Sequence, residues 1–237
     1  MLKTQLHNDE IYTIDSVLTE ERMFRTGVLH IANSIPLDKI ETYLNEDNLN
    51  ILHNEVRSLC ETEAGHYEFG RNYRGGSLSE YSPESAISKT YEAKWMKDLH
   101  YAYTGNPSRY GINVFATHDY KYEGELARNG WLHFDRLWRL KFFIYLTDID
   151  SSSGAFTCSV GSRSKGAELR KAAWNTPDYE GVKNRIDLDY PDLAKDYPAE
   201  PVEASAGTLI VFDTDTFHKG GKCDEGKERL VVRLHCE

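Results

Sequence analysis

His133-Phe134-Asp135 places an imidazole and a carboxylate two residues apart, and in an extended chain side chains alternate, so the two project to one side. Such a pair can present one nitrogen and one oxygen to a single metal ion. The bare pattern is common, and His7-Asn8-Asp9 repeats it in an unpatterned stretch. Its weight comes from what lies 85 residues on (218 − 133): the apolar run Gly207 to Asp213 reads as a strand that delivers His218 after a short polar turn. Two histidines and one carboxylate on neighbouring strands make a facial triad, which leaves three positions of an octahedral iron(II) open. Arg229 follows eleven residues later (229 − 218), near enough in a hairpin to face the same cavity and grip a carboxylate through its rigid two-pronged fork. Arg233 is the rival, because 229, 231 and 233 share a face.

These ligands need a rigid frame, and the second half of the chain offers one. Tyr110 to Thr117, Leu140 to Thr147, Gly154 to Cys158, Thr208 to Asp213 and Arg229 to Leu234 are strand candidates rich in β-branched and aromatic residues. Alternation along Leu140 to Thr147 puts Lys141, Phe143 and Tyr145 on one face, expected to line the pocket together with Asn113 of the preceding strand. The first half is mixed. Gly27 to Ile31 reads as a short strand, and Asn33-Ser34 before Pro36 reads as a helix start leading into Leu37, Ile40 and Leu44. Glu61 to Ser82, with Gly65, Gly70, Gly75 and Gly76, reads as a functional or flexible loop. Pro83 opens a helix with Tyr91, Trp95 and Leu99 as its core stripe, stopped by Gly105-Asn106-Pro107. Helices first and strands later, without regular βαβ alternation, predict an antiparallel sandwich or barrel buttressed by helices.

At 237 residues, 40% hydrophobic and 28% charged, the chain reads as one globular domain, with 1–109 as mixed helical and strand support and 110–237 as core. The segment 162–205 is long and polar and carries Trp174, Tyr179 and Tyr190, so it reads as an insertion acting as a substrate lid. A net charge of −10 opposes nucleic acid and anionic lipid and favours a small-molecule partner. No apolar run approaches the roughly 18 residues of a membrane helix. The first nine residues lack a signal-peptide apolar region, and Cys60, Cys158, Cys223 and Cys236 form no C-x-x-C pair, so a cytoplasmic, reduced protein is expected. Arg71, Arg74, Arg136 and Arg139 are the arginines available to meet an anionic substrate, although solvated surface charge is the commoner fate of such residues; Arg74, Arg139, Trp174 and Tyr179 are the candidate substrate contacts.

The blocks Trp131 to Asp135, Leu140 to Asp150, Gly154-Ala155-Phe156, Val160-Gly161-Ser162-Arg163 and His218 through Arg229 resemble, in order, the phytanoyl-CoA dioxygenase-like branch of the iron(II)/2-oxoglutarate-dependent oxygenases. The resemblance spans about residues 110–237. It departs at Arg163, where the family often has histidine, which bears on substrate contacts rather than on metal binding. The resemblance implies a double-stranded β-helix, or jelly roll, of cupin-like form. It implies that His133, Asp135 and His218 hold iron(II) and that Arg229 anchors the distal carboxylate of 2-oxoglutarate, with dioxygen as co-substrate. It further implies hydroxylation of an unactivated C–H bond, with 2-oxoglutarate converted to succinate and carbon dioxide. Halogenases of this kind replace the carboxylate ligand, and Asp135 is present. A cupin-like metal isomerase or hydrolase, and a jelly-roll binding module without catalysis, are the alternatives; only the oxygenase needs Arg229 and makes succinate.

Overall fold

A computed structural model describes residues 37–40, 43–62, 66–68, 70–124, 130–174 and 183–237. The expected strand at Gly27 to Ile31, the helix start at Asn33-Ser34 and Tyr179 lie outside these residues. Two antiparallel sheets face each other. The larger has seven strands in the order β1 (Leu37–Ile40), β8 (Leu209–Asp213), β5 (Leu140–Tyr145), β10 (Glu228–Cys236), β4 (Asn113–Tyr120), β3 (Arg71–Gly76) and β2 (His66–Glu68). The smaller sheet orders β7 (Glu200–Pro201), β6 (Thr157–Cys158) and β9 (His218–Lys219). This is the jelly-roll arrangement, with helices on the outer face of the large sheet.

Period two decides which side chains go where. Val114, Ala116, Phe142, Ile144, Val211, Leu230, Val232 and Leu234 point outward and meet helices α1 (Glu46–Glu61), α2 (Ala86–Tyr91) and α3 (Lys94–Thr104) in one apolar core. Helix α1 starts because the Asn45 side chain accepts from the Asn48 amide at 2.9 Å and Glu46 and Asp47 lie in its first turn. It buries Leu52, Val56 and Cys60, one every turn. Each fully buried aliphatic side chain contributes about 2 kcal/mol from area removed from water. The hydroxyl of Tyr91 reaches the carbonyls of Val232 at 2.9 Å and Phe142 at 3.3 Å and so bolts α2 to the two central strands. Helix α3 stops at Gly105, whose φ of 71° is left-handed, and Asn106-Pro107 follow.

Two expectations are corrected. Leu37–Ile40 is a strand, not helix: it pairs with β8 from Leu37↔Phe212 to Ile40↔Leu209, and the helix begins only after the Asn45 cap. A spacing of 37, 40, 44 is too short a series to fix a period, and sheet pairing overrides it. The Gly-rich stretch is not wholly loop, because Arg71–Gly76 is a strand paired along β4 from Arg71↔Asp119 to Gly76↔Val114. The segment 162–205 carries α4 (Arg163–Trp174), α5 (Ile186–Asp189), α6 (Pro191–Asp196) and β7. Leu169, Tyr190, Leu193 and Tyr197 pack on a third cluster of Leu132, Phe134, Ile186 and Phe217.

Candidate metal centre and cavity

The segment bearing His133 is fastened to β9 by a reciprocal backbone pair: the His133 amide donates to the His218 carbonyl at 2.9 Å and the His218 amide to the His133 carbonyl at 2.8 Å. The Asp135 amide donates to the Thr214 carbonyl at 3.0 Å. Phe134, between the two candidate ligands, turns the other way and is fully buried beside Ile186 and Phe217, so alternation operates here as the residue pattern predicts. The segment after α4 braces the same place from outside, through Ile186 N to the Leu132 carbonyl at 2.6 Å and Leu132 N to Asp187 Oδ2 at 2.9 Å.

Ring orientation is set one bond further out. His133 Nδ1 lies 2.6 Å from the Trp131 carbonyl and His218 Nδ1 2.7 Å from the Thr216 carbonyl. A carbonyl only accepts, so each Nδ1 carries a hydrogen, and in the neutral ring each Nε2 then presents a lone pair. Both Nε2 atoms face Asp135 Oδ1 at 3.5 Å, and one donor atom from each of the three residues lies within 4.8 Å of the others. Burial, with His133 beside it, pushes the His218 imidazole down to about 4, so it is neutral at pH 7. Burial opposes charge on Asp135, but the Lys141 ammonium outweighs it and holds the carboxyl well below the usual range. Lys141 Nζ sits 2.6 Å from Asp135 Oδ2, which leaves Oδ1 as the oxygen turned to the imidazoles. Lone pairs converging without protons between them repel one another unless a cation joins them, and a neutral-imidazole and carboxylate set of this kind suits a divalent transition metal with open positions.

The centre opens on a cavity of about 750 Å³ between the sheets. Of the expected pocket residues, Lys141, Phe143, Tyr145 and Arg229 line it. Asn113 does not; it begins β4 opposite His235, and Phe115 takes the place expected for it. Arg139 lines the mouth but its guanidinium is bound to Glu237, from Nε at 2.8 Å and Nη2 at 2.5 Å. Arg74 is absent from the wall, since alternation on β3 turns Arg71 and Tyr73 inward instead. Trp174 ends α4. Arg163 is not at the cavity either: its Nε donates to Asp213 Oδ2 at 2.5 Å, and the Tyr103 hydroxyl donates to the same oxygen, tying down the end of β8 ahead of His218.

Arg229 and Arg233 both reach the cavity from β10, in the large sheet, whereas His218 belongs to the small one; they are joined across the fold, not by a simple hairpin. Arg229 is 5% exposed and bonds Asp119 Oδ2 from Nε and Nη2, each at 2.9 Å, while Nη1 donates to the Gly154 carbonyl. One hydrogen remains on each of Nη1 and Nη2 for a ligand carboxylate. Arg71 Nε donates to the other oxygen of Asp119. Burial works against the charge on Asp119, yet Arg229 and Arg71 outweigh it and hold its pKa down to about 2. Residue patterns gave no notice of Asp119, Phe115, Tyr73, Asn184 or His235; strand parity applied to β3, β4 and β10 once paired would have marked all but Asn184.

The profile of the phytanoyl-CoA dioxygenase (PhyH) family matches residues 90–229, more than half of the chain and inclusive of all three candidate ligands and Arg229. The chain belongs to that family. Its relatives in solved structures share the fold at low identity. The non-heme alpha ketoglutarate dependent epimerase SnoN from nogalamycin biosynthesis superposes with a TM-score of 0.64 at 14% identity, over 89% of this chain and 83% of its own. For the carbocyclase SnoK of the same biosynthesis the values are 0.63, 16%, 92% and 85%. For EctD from S. alaskensis with bound Fe they are 0.58, 13%, 99% and 79%. A comparison with curated proteins finds no match. As a member of the PhyH family, the chain is an iron- and 2-oxoglutarate-dependent oxygenase-type enzyme. Among the described residues, no helix is long and apolar enough to cross a membrane.

Proposed function

We propose that this member of the family hydroxylates a small-molecule metabolite at an unactivated C–H bond, converting 2-oxoglutarate to succinate and carbon dioxide. The observation that carries the reading is the set of three converging donor atoms in the wall of a cavity that also holds Arg229 with hydrogens to spare. Iron(II), 2-oxoglutarate and dioxygen supply the oxidising chemistry when bound.

The remaining work belongs to the chain. His133 and His218 would hold the metal through Nε2, with their Nδ1 hydrogens fixed on backbone carbonyls. Asp135 would bind through Oδ1 while Lys141 keeps Oδ2 and the negative charge in place. Arg229 would receive the distal carboxylate of 2-oxoglutarate, and its orientation is fixed in advance by Asp119 and Gly154. Phe143, Phe156 and Val231 exclude water from the space between. A cavity of about 750 Å³ fits a metabolite-sized substrate. Asn184, which lines it and donates to the Phe134 carbonyl at 2.7 Å, ties the 162–205 segment to the centre, in keeping with a lid that includes Trp174 and Tyr179. The four cysteines are free and buried, which favours a cytoplasmic, reducing location.

Hydroxylation is preferred to halogenation because Asp135 fills the third ligand position. The test is anaerobic addition of iron(II) and 2-oxoglutarate, which should give the weak visible charge-transfer band of a chelated 2-oxoacid, followed by a metabolite screen for substrate-triggered oxygen consumption and succinate. Product gaining one oxygen supports hydroxylation. Unchanged mass or loss of two hydrogens would move the reading to the reactions named for SnoN and SnoK, and folded, iron-loaded protein without the band would sink it.

A further inference from the structure

Arg233 and His235 follow Arg229 on the cavity side of β10. Arg233 makes no ion pair among the described residues. Its Nη2 donates to Thr117 Oγ1 at 2.9 Å, its Nε is sealed from solvent without a hydrogen-bond partner, and its plane lies 5.3 Å and 5.6 Å from the ring centres of Phe115 and Phe143. His235 is 7% exposed, packs between the same two rings, and has neither ring nitrogen partnered. Burial, then the like charges of Arg71 and Arg229, push the Arg233 guanidinium pKa down. A guanidinium at a cavity wall with no carboxylate bonded to it keeps an uncompensated charge, which costs stability and which an anion in the cavity would balance.

Charge bookkeeping says which kind. Arg71 and Arg229 share the single carboxylate of Asp119, an excess of one positive charge that the distal carboxylate of 2-oxoglutarate balances. Lys141 is held by Asp135 and Arg139 by Glu237. None of these carboxylates bonds Arg233, whose charge one more negative charge from a second molecule would balance.

We infer that Arg233 and His235 form a second anion subsite, separate from the grip on 2-oxoglutarate, and that the substrate docks a carboxylate there, with its reacting carbon directed toward the metal centre. The inference rests on the iron and 2-oxoglutarate reading above. A monoanionic carboxylate fits better than a phosphate, which brings more negative charge than Arg233 balances and more acceptor oxygens than the two residues serve.

The test uses protein loaded anaerobically with iron(II) and saturating 2-oxoglutarate, titrated calorimetrically at constant ionic strength with linear carboxylates from acetate to octanoate, their amides and the matching alkyl phosphates. At least one carboxylate should bind, its amide at least about tenfold more weakly. Arg233→Met should weaken that carboxylate by about thirtyfold or more, while 2-oxoglutarate affinity, read from the charge-transfer band, stays within about twofold; Arg229→Met should do the reverse. Arg233→Gln, close in shape and polar, repeats the measurement should the methionine variant fold poorly. The inference falls if no carboxylate in the series binds, if amides or phosphates bind as well, or if Arg233→Met costs 2-oxoglutarate as much affinity as Arg229→Met does. Wild-type protein that forms no 2-oxoglutarate complex would strike the proposed function instead, and the same carboxylate titration of metal-free wild type and Arg233→Met would still decide for or against the subsite.

Discussion

Leu230, Val232 and Leu234 on one side of β10 are sealed against α1 to α3, while Arg229, Val231, Arg233 and His235 on the other line the cavity. The outer side is buried in apolar surface, and the inner side is buried but for Arg233, which is half-buried against the cavity. The outer side gains stability from every residue it covers, as packed apolar surfaces do. The inner side sets Arg229, with Arg71 of β3, on one carboxylate and leaves donors of Arg233 and His235 unmet, an arrangement that apolar replacement of similar volume often improves. One strand thus carries a stabilising face and a functional face, which are separable by mutation.

The largest expected effect sharpens that separation. His133→Ala or His218→Ala should abolish metal binding and turnover yet leave the melting of metal-free protein nearly unchanged, because the backbone pair joining the two segments needs neither side chain. Full activity in either variant would remove that residue from the centre. Next, Arg229→Ala should raise the apparent KM for 2-oxoglutarate far more than Arg233→Ala, by an amount corresponding to roughly 2–5 kcal/mol, with Arg229→Lys only a partial rescue; the opposite ranking in steady-state kinetics would exchange their roles. Neighbouring positions on β10 then provide the direct contrast in chemical denaturation: Leu234→Ala should cost about 2–5 kcal/mol, whereas Arg233→Met should be neutral or stabilising. Equal destabilisation by both would break the comparison.

A smaller effect concerns acid. Asp119 has its pKa depressed from 3.8 to about 2, so the stability it contributes is complete above pH 3.8 and is lost as pH falls through about 2. That difference corresponds to about 2 kcal/mol, and Asp119→Asn should remove this part of the acid limb in unfolding measured between those pH values. An unchanged slope would mean that Asp119 is not charged against Arg71 and Arg229. Smallest of all, Trp174→Ala should loosen the coupling of succinate to hydroxylated product while anaerobic 2-oxoglutarate binding stays as it is; wild-type coupling would make the 162–205 segment scaffold alone.

Much of the centre was legible because it is encoded by parity and order. His133 and Asp135 share a side with Phe134 opposed, and the strand before His218 is a plain apolar run. The Lys141, Phe143 and Tyr145 face was legible for the same reason. What escaped depends on pairing between distant segments. Arg71 rather than Arg74 faces inward because of its register with Asp119, and nothing within a Gly-rich stretch announces that register. Arg163 ends at Asp213 through a contact fifty residues away, and the helices of 162–205 form because an apolar cluster elsewhere accepts them, although their own sequence is polar.

The position of β10 also governs how the molecule comes into being. Later in sequence than every other described strand, it lies in the middle of the large sheet, between β5 and β4. On a ribosome, β4 and β5 are therefore made long before the strand that will separate them, and each must wait with an open edge rather than pair with the other. Such edges invite wrong partners, and the many long-range contacts make closure slow. Because Arg229, Arg233 and His235 enter on that same strand, a nascent chain has no anion-binding wall until the sheet is completed. Competence to bind and completion of the barrel are a single late event in the life of each molecule.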